Sequence, residues 1–408
     1  MEFTYAKSRK DLEDIADMMG KIFRRKNWFE FYKMRMDYQT RAPYFKPEHS
    51  RIAKENGQIM GHTSIIEKYI RIDDCVVKVA GIGDVYTHPD ARGRHVAAHL
   101  MNDAMDYMRK NQYPLTMLYG IPNFYHKFGY SEAMADYKVF VPVKHVAQIS
   151  SSAPLRPSKD SDIPELNRLY NETYKSKTGY MRRVPASWYN IAIPEELFVT
   201  TDSGDKPTGY LVYRAVWGSG GYVAEAVAPT EEIRRAILAF YISKARETYQ
   251  AELEFRMTPD DPFARFLQDF GSRVVARFFA EGEGNAMLGI IDLPLLLKEI
   301  KPCLEKRLVY SPLREIKGGV NIVTDMAGKA AVLFDQGKIK IQGKIQKGLP
   351  TLETSQTLLT RSIIGYWSSE RLMERVKSAG FKLPPELSPI LVALFPEKTP
   401  FTSEPDYF

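Results

Sequence analysis

The chain is poor in cysteine, in long apolar runs and in blocks of like charge. Only Cys75 and Cys303 occur in 408 residues. Two cysteines so far apart argue against a disulfide scaffold and fit a reducing compartment. The longest apolar run, "AMLGIIDLPLLL", is broken by Asp292 and Pro294. It is too short to span a bilayer, so no membrane association is expected. The opening "MEFTYAKSRKDLEDI" has no apolar stretch of the signal type. A cytoplasmic protein is therefore the expectation. The 57 basic and 50 acidic residues leave a net charge of +7. They are scattered rather than clustered, which gives no nucleic-acid footprint and suits anionic small molecules.

What is there is a repeat. In the first stretch, Phe3 to Ala6 reads as a strand. "DLEDIADMMGKIF" reads as an amphipathic helix, with Leu12, Ile15, Met18, Met19 and Ile22 on one face. "RIAKENGQIMGHTSII" reads as a hairpin turning at Asn56-Gly57. "VVKVAGIGDVYT" supplies strands, and a helix follows with Val96, Leu100, Met101, Ala104 and Met108 as its buried stripe. "PLTMLYG" is an apolar strand, and "NFYHKF" a short helix ended by Gly129. The aromatic run Trp28, Phe29, Phe31 and Tyr32 reads as a buried helix face.

After a Ser/Pro-rich stretch at 149–162, the same order returns. "LRPSKDSDIPELNRLYNETY" mirrors the first strand and helix, and "TDSGDKPTGYLVYRAV" mirrors the hairpin. "GYVAEAVAPTEEIRRAILAFYISKA" mirrors strand, proline and long helix, with Pro229 standing where Pro89 stands. "FLQDFGS" mirrors "FYHKFGY". The offset holds near about 140 residues, which chance similarity would not maintain. Two copies of one α/β module are predicted, over 1–150 and 151–295. The remainder, 296–408, carries strands "GGVNIVTD", "AAVLFDQ" and "KIKIQGKIQ" and helices "TSQTLLTRSIIGY" and "SERLMERVKSAG". It reads as an α+β domain.

The copies differ at two places. The first opens its long helix with "DARGRH", putting Arg92 and Arg94 at an end that already carries partial positive charge. Stability alone would not choose that, whereas an anion binding there would. The second copy opens the same helix with "TEEIRRA", the acidic start that the dipole favours. Where the first has Tyr125, the second has Leu267. The two differences point to one site in the first copy.

A strand, a proline and Arg-x-x-x-x-Ala leading into an apolar helix, "VYTHPDARGRHVAAHLM", resembles the acetyl-CoA-binding motif of the GCN5-related N-acetyltransferases (GNAT). His95 holds the position where the motif has glycine. With "NFYHKFGY", the second module, the third domain and the aromatic residue Phe408, the whole chain resembles the enhanced intracellular survival (Eis) acetyltransferase family. That resemblance implies α/β and α+β architecture: two tandem GNAT modules, the second degenerate, and a C-terminal domain like sterol carrier proteins. It implies acetyl-CoA as co-substrate, transfer to a primary amine of a polyamine- or aminoglycoside-like molecule, and a homohexamer. The site residues it implies are Tyr125 as general acid and the carboxylate of Phe408 as base. The backbone of Val85, Tyr86 and Thr87 lies along the pantetheine. Arg92, Gly93, Arg94, His95, Val96, Ala97 and Ala98 hold the pyrophosphate, with Asn123 nearby. Helix-start amides suit such an anion. His88, His95 and His99 lack a completing acidic or cysteine ligand, so no metal is expected. Asp84 either attracts a cationic amine or ends a hydrogen-bond network. A rival reading is an acyl- or lipid-binding protein that uses the third domain on a non-catalytic scaffold.

Overall fold

The computed structural model describes the chain except for residues 24–26, 192–194 and 217–219. The first stretch runs β1 (Glu2–Tyr5), α1 (Arg9–Phe23), α2 (Trp28–Arg41), β2 (Ser50–Glu55), β3 (Gln58–Ile72), β4 (Cys75–Thr87), α3 (Val96–Lys110), β5 (Leu115–Gly120), β6 (Ser131–Glu132) and β7 (Asp136–Pro142). After α4 (Val143–Val146) come β8 (Leu155–Pro157), α5 (Ile163–Thr173), β9 (Leu197–Thr201), β10 (Pro207–Val216) and β11 (Gly220–Val227). Then follow α6 (Glu231–Glu247), β12 (Glu252–Phe255), α7 (Pro262–Gln268), β13 (Arg273–Arg277) and β14 (Asn285–Ile290). The last stretch has α8 (Leu293–Glu299), α9 (Lys301–Val309), β15 (Lys317–Thr324), β16 (Lys329–Asp335), β17 (Lys338–Gln342), β18 (Thr351–Thr354), α10 (Gln356–Ile363), α11 (Ser369–Ser378) and α12 (Leu387–Leu394). No described helix is long and apolar enough to cross a membrane.

Local chemistry explains the key elements. Asn56 and Gly57 take φ of +50° and +81°, the double left-handed turn that closes β2 onto β3. Ser8 and Asp11 cap α1 reciprocally: each side chain accepts from the other's amide at 3.1 Å. The stripe Val96, Leu100, Met101, Ala104 and Met108 is buried along α3. The stretch at 149–162 is not all linker, because Leu155–Pro157 pairs with β9.

Two compact units emerge, each discontinuous in sequence. One comprises Met1–Ala133, Phe279–Lys398 and Phe408, and the other Met134–Phe278 and Thr399–Tyr407. The first unit holds a sheet of order β1-β2-β3-β4-β5-β14-β6 and a second of order β17-β16-β15-β18. The other unit holds β13-β7-β12-β11-β10-β9-β8. The strands are thus exchanged. β7, from the first stretch, lies between β12 and β13, while β14, from the second, lies between β5 and β6.

The cysteines overturn an expectation. Cys75, opening β4, and Cys303, in α9, form a disulfide with Cα atoms 6.4 Å apart. Sequence distance sets no limit once the fold brings hairpin and helix together. The tip of the same hairpin carries Asp73 and Asp74, which pair with Arg307 at 2.7 Å and Lys306 at 2.5 Å.

Candidate active site

In the first unit, β4 and β5 pair in parallel from Val79–Leu115 to Ile82–Leu118 and then part. The cause lies in β4. Asp84 has φ of +55°, and the β3–β4 register shifts between His62 and Ser64. Such a bulge bends a strand and ends its pairing. Val85, Tyr86 and Thr87 therefore run beyond the last β4–β5 pair. They line a cavity of about 350 Å³ together with Ile22 and Phe23 of α1 and the exposed Arg92.

The loop from β4 to α3 is built of tight turns. Gly93 has φ of +77°, and His95, the N-cap of α3, sits at φ +57° and ψ +23°. For a residue with a side chain the left-handed region costs about 1–2 kcal/mol, which is the physical reason for glycine at this place. The histidine adopts this left-handed conformation and is exposed. Val96, buried, and Ala97 and Ala98, half-buried, begin the helix. Their amides have no preceding helical carbonyl to bond, the arrangement that suits an anion. Arg94 is engaged elsewhere: its guanidinium grips both oxygens of Glu55, at 2.9 and 2.7 Å.

Tyr125 begins a short 3-10 turn, Tyr125–Phe128, which Gly129 closes at φ +84°. Its ring stands edge-on to Phe124 at 4.8 Å and is 8% exposed. Burial raises its pKa, so the phenol holds its proton at neutral pH. Asn123 is exposed in the left-handed region, and its amide donates to the Gly282 carbonyl at 3.1 Å. Phe408 lies on β4. A Cβ at Gly81 would fall 2.6 Å from its ring, and one at Gly83 would fall 3.9 Å from its carboxyl carbon.

Sequence reasoning missed the partners. Asp84 is gripped by Arg35 of α2, and Ser64 Oγ donates to it at 2.8 Å. It ends a network rather than standing open. Trp28 and Phe29, expected in a buried face, are 42% and 58% exposed. At about 100° per residue the four positions share one broad face of α2, so the face exists as expected, but it is left exposed at Trp28 and Phe29 and only half-buried at Tyr32. Phe31's side chain lies outside the described residues. Ile22 is likewise exposed, at the cavity rim.

The second unit provides the contrast. Thr230 caps α6, with Glu231 and Glu232 in its first turn, and Leu267 is fully buried. Its β11 carries Glu225, held by Arg183 at 2.7 and 2.8 Å. Tail residues complete that network: Asp406 accepts from Arg183 at 2.9 Å, and Ser403 donates to Glu225.

Residues 5–133 match an acetyltransferase (GNAT) domain, and residues 179–280 match a second one. No curated protein matches the chain in sequence. Among solved structures, a GCN5-related N-acetyltransferase from Anabaena variabilis superimposes with a TM-score of 0.74 at 17% identity, over all of both chains. One from Kribbella flavida gives 0.71 at 17%, over 100% of this chain and 98% of that one. Eis1 from Mycobacterium abscessus gives 0.66 at 16%, again over all of both. The chain is an acetyltransferase. It belongs to the GNAT superfamily, with two GNAT domains in tandem.

Proposed function

We propose that this protein is an Eis-like N-acetyltransferase that passes acetyl directly from acetyl-CoA to a primary amine of a polyamine- or aminoglycoside-like substrate. The observation that carries this reading is the seat of Phe408. Its carboxyl carbon lies beside Gly83, next to the bulge, in the unit that also holds Tyr125 and the arginine-led helix. The amine nitrogen attacks the thioester carbonyl and the carbon–sulfur bond breaks. The Phe408 carboxylate takes the amine's proton, and Tyr125 gives its own to the leaving thiolate. A buried phenol with a raised pKa suits that role. The β4 backbone from Val85 to Thr87 lies along the pantetheine and polarises the carbonyl. The amides of Gly93 to Ala98 cradle the pyrophosphate, with Arg92 supplying charge, Arg94 on exchange from Glu55, and Asn123 at the edge.

The second module, 151–295, is read as a degenerate copy of 1–150. Its acidic helix start and Leu267 support that. The stretch 296–408 is read as sterol-carrier-like, from its α+β composition and four-stranded sheet. The assembly is read as a cytoplasmic homohexamer, by resemblance. The test is thioester consumption against a panel of amines, with mass spectrometry of the products. Tyr125→Phe should lower kcat by about 10²-fold while leaving acetyl-CoA affinity within about twofold. No acetylated amine from any member of the panel would refute the proposal.

A further inference from the structure

Gly81 sits in β4 between β3 and β5, paired with Ile66 on one side and Met117 on the other. Glycine in a central strand weakens it and marks a close approach. The ring of Phe408 makes that approach: three of its carbons would lie 2.6, 2.7 and 3.1 Å from a Cβ at Gly81. Tyr119 of β5 meets the ring edge-on, with centroids 5.6 Å apart at 71°. The Lys68 ammonium of β3 stands 4.9 Å over its face, within the range of cation–π attraction. Three adjacent strands each contribute one wall.

We infer that Gly81, Tyr119 and Lys68 form an aromatic socket whose work is to fix residue 408, so that the ring of Phe408 positions its own carboxylate for proton transfer. The inference rests on the carboxylate reading above. Chain ends fray by default. A base earns its rate from fixed geometry, and a small displacement costs heavily. Backbone hydrogen bonds would hold any residue at this place equally. The methyl-sized gap over Gly81 selects a flat ring. The socket residues are positioning residues, since none of them exchanges a proton.

The experiment compares the full chain with five variants in steady-state kinetics, with acetyl-CoA affinity measured separately by calorimetry. Phe408→Ala keeps a carboxylate at 408 and removes the ring. It should lower kcat by about 10- to 100-fold, with acetyl-CoA affinity within about twofold. Phe408→Leu should recover part of the loss. Gly81→Ala should cost about 10-fold in the parent but less than about twofold in the Phe408→Ala background, because the methyl group then has room. One residue added after Phe408 moves the carboxylate and should nearly abolish turnover. If the extension abolishes turnover while Phe408→Ala matches the parent, the socket is refuted and the base assignment stands. If the extension changes nothing, the base assignment falls and the socket reading with it. Equal cost of Gly81→Ala in both backgrounds, with each variant's melting midpoint unchanged from its own parent, also refutes the socket.

Discussion

Replacing Arg183 by methionine takes away the cation that lies between Glu225 and Asp406. Methionine has similar reach, so little packing is lost. What remains is a pair of carboxylates on side chains only 2% and 4% exposed, facing each other with no charge between them. Tyr170 and Tyr210 still donate to them, at 3.0 and 2.7 Å, as does Ser403, but three hydroxyls do not neutralise two charges. Breaking a buried ion pair from one side costs about 3–5 kcal/mol. The second unit has about 150 residues, for which 1 kcal/mol moves a melting midpoint by about 2–4 °C. Arg183→Met should therefore lower that unit's calorimetric transition by about 10 °C. The triple variant Arg183→Met, Glu225→Gln, Asp406→Asn removes the charges together and should regain most of the loss. A single variant within about 1 kcal/mol of the parent would refute the reasoning. So would a triple variant as unstable as the single.

Acidification should move the two units in opposite directions. Burial lowers His49 and His62 in the first unit to about 4, against 6.5 in the unfolded chain. The unfolded state then binds more protons between those values, so stability is present above about pH 6.5 and is lost as pH falls through 4, by about 3 kcal/mol for each. Burial raises Asp261 in the second unit from 3.8 to about 6, so its contribution is present at low pH and lost as pH rises through 6. Calorimetry at pH 7 and pH 5 should show the first transition falling and the second rising; parallel movement would count against both assignments. Cys303→Ser, or reduction, should destabilise the first unit by about 2–5 kcal/mol in a denaturant titration, given a closed loop of 228 residues. Glu55→Gln frees Arg94 from an exposed, solvent-screened ion pair, so KM for acetyl-CoA should fall, by no more than about fivefold. A KM that rises would mean that Glu55 shapes the loop rather than competing for the guanidinium.

Much of the first sheet was legible because its signals are local. Asn56-Gly57 dictates a turn wherever it occurs, and the stripe from Val96 to Met108 has only one helical face to bury. The odd arginines were legible as charge in the wrong place. Their partners were not, because Glu55 lies on another strand and no periodicity links it to Arg94. The same holds for Asp84, which Arg35 reaches from a helix far away in sequence. The pair "AGIGD" carried a signal that went unread: two glycines inside an apolar strand mean that something presses on it. The alternation in "DYKVFVP" announces a strand, yet alternation cannot say which sheet receives it. Trp28 and Phe29 failed for the opposite reason: spacing shows which residues share a helix face but not whether another element covers it.

The strand exchange sets the order in which this protein can be finished. While the ribosome is still making the second stretch, β5 is an apolar edge, "LTMLYG", whose neighbour β14 does not yet exist. β7 has been made by then, but the sheet that will receive it has not. An open strand edge invites pairing with other chains, and contacts so distant in sequence form slowly. A nascent chain stalled near residue 200 should therefore be a target for chaperones, and a fragment cut at residue 150 should aggregate rather than fold.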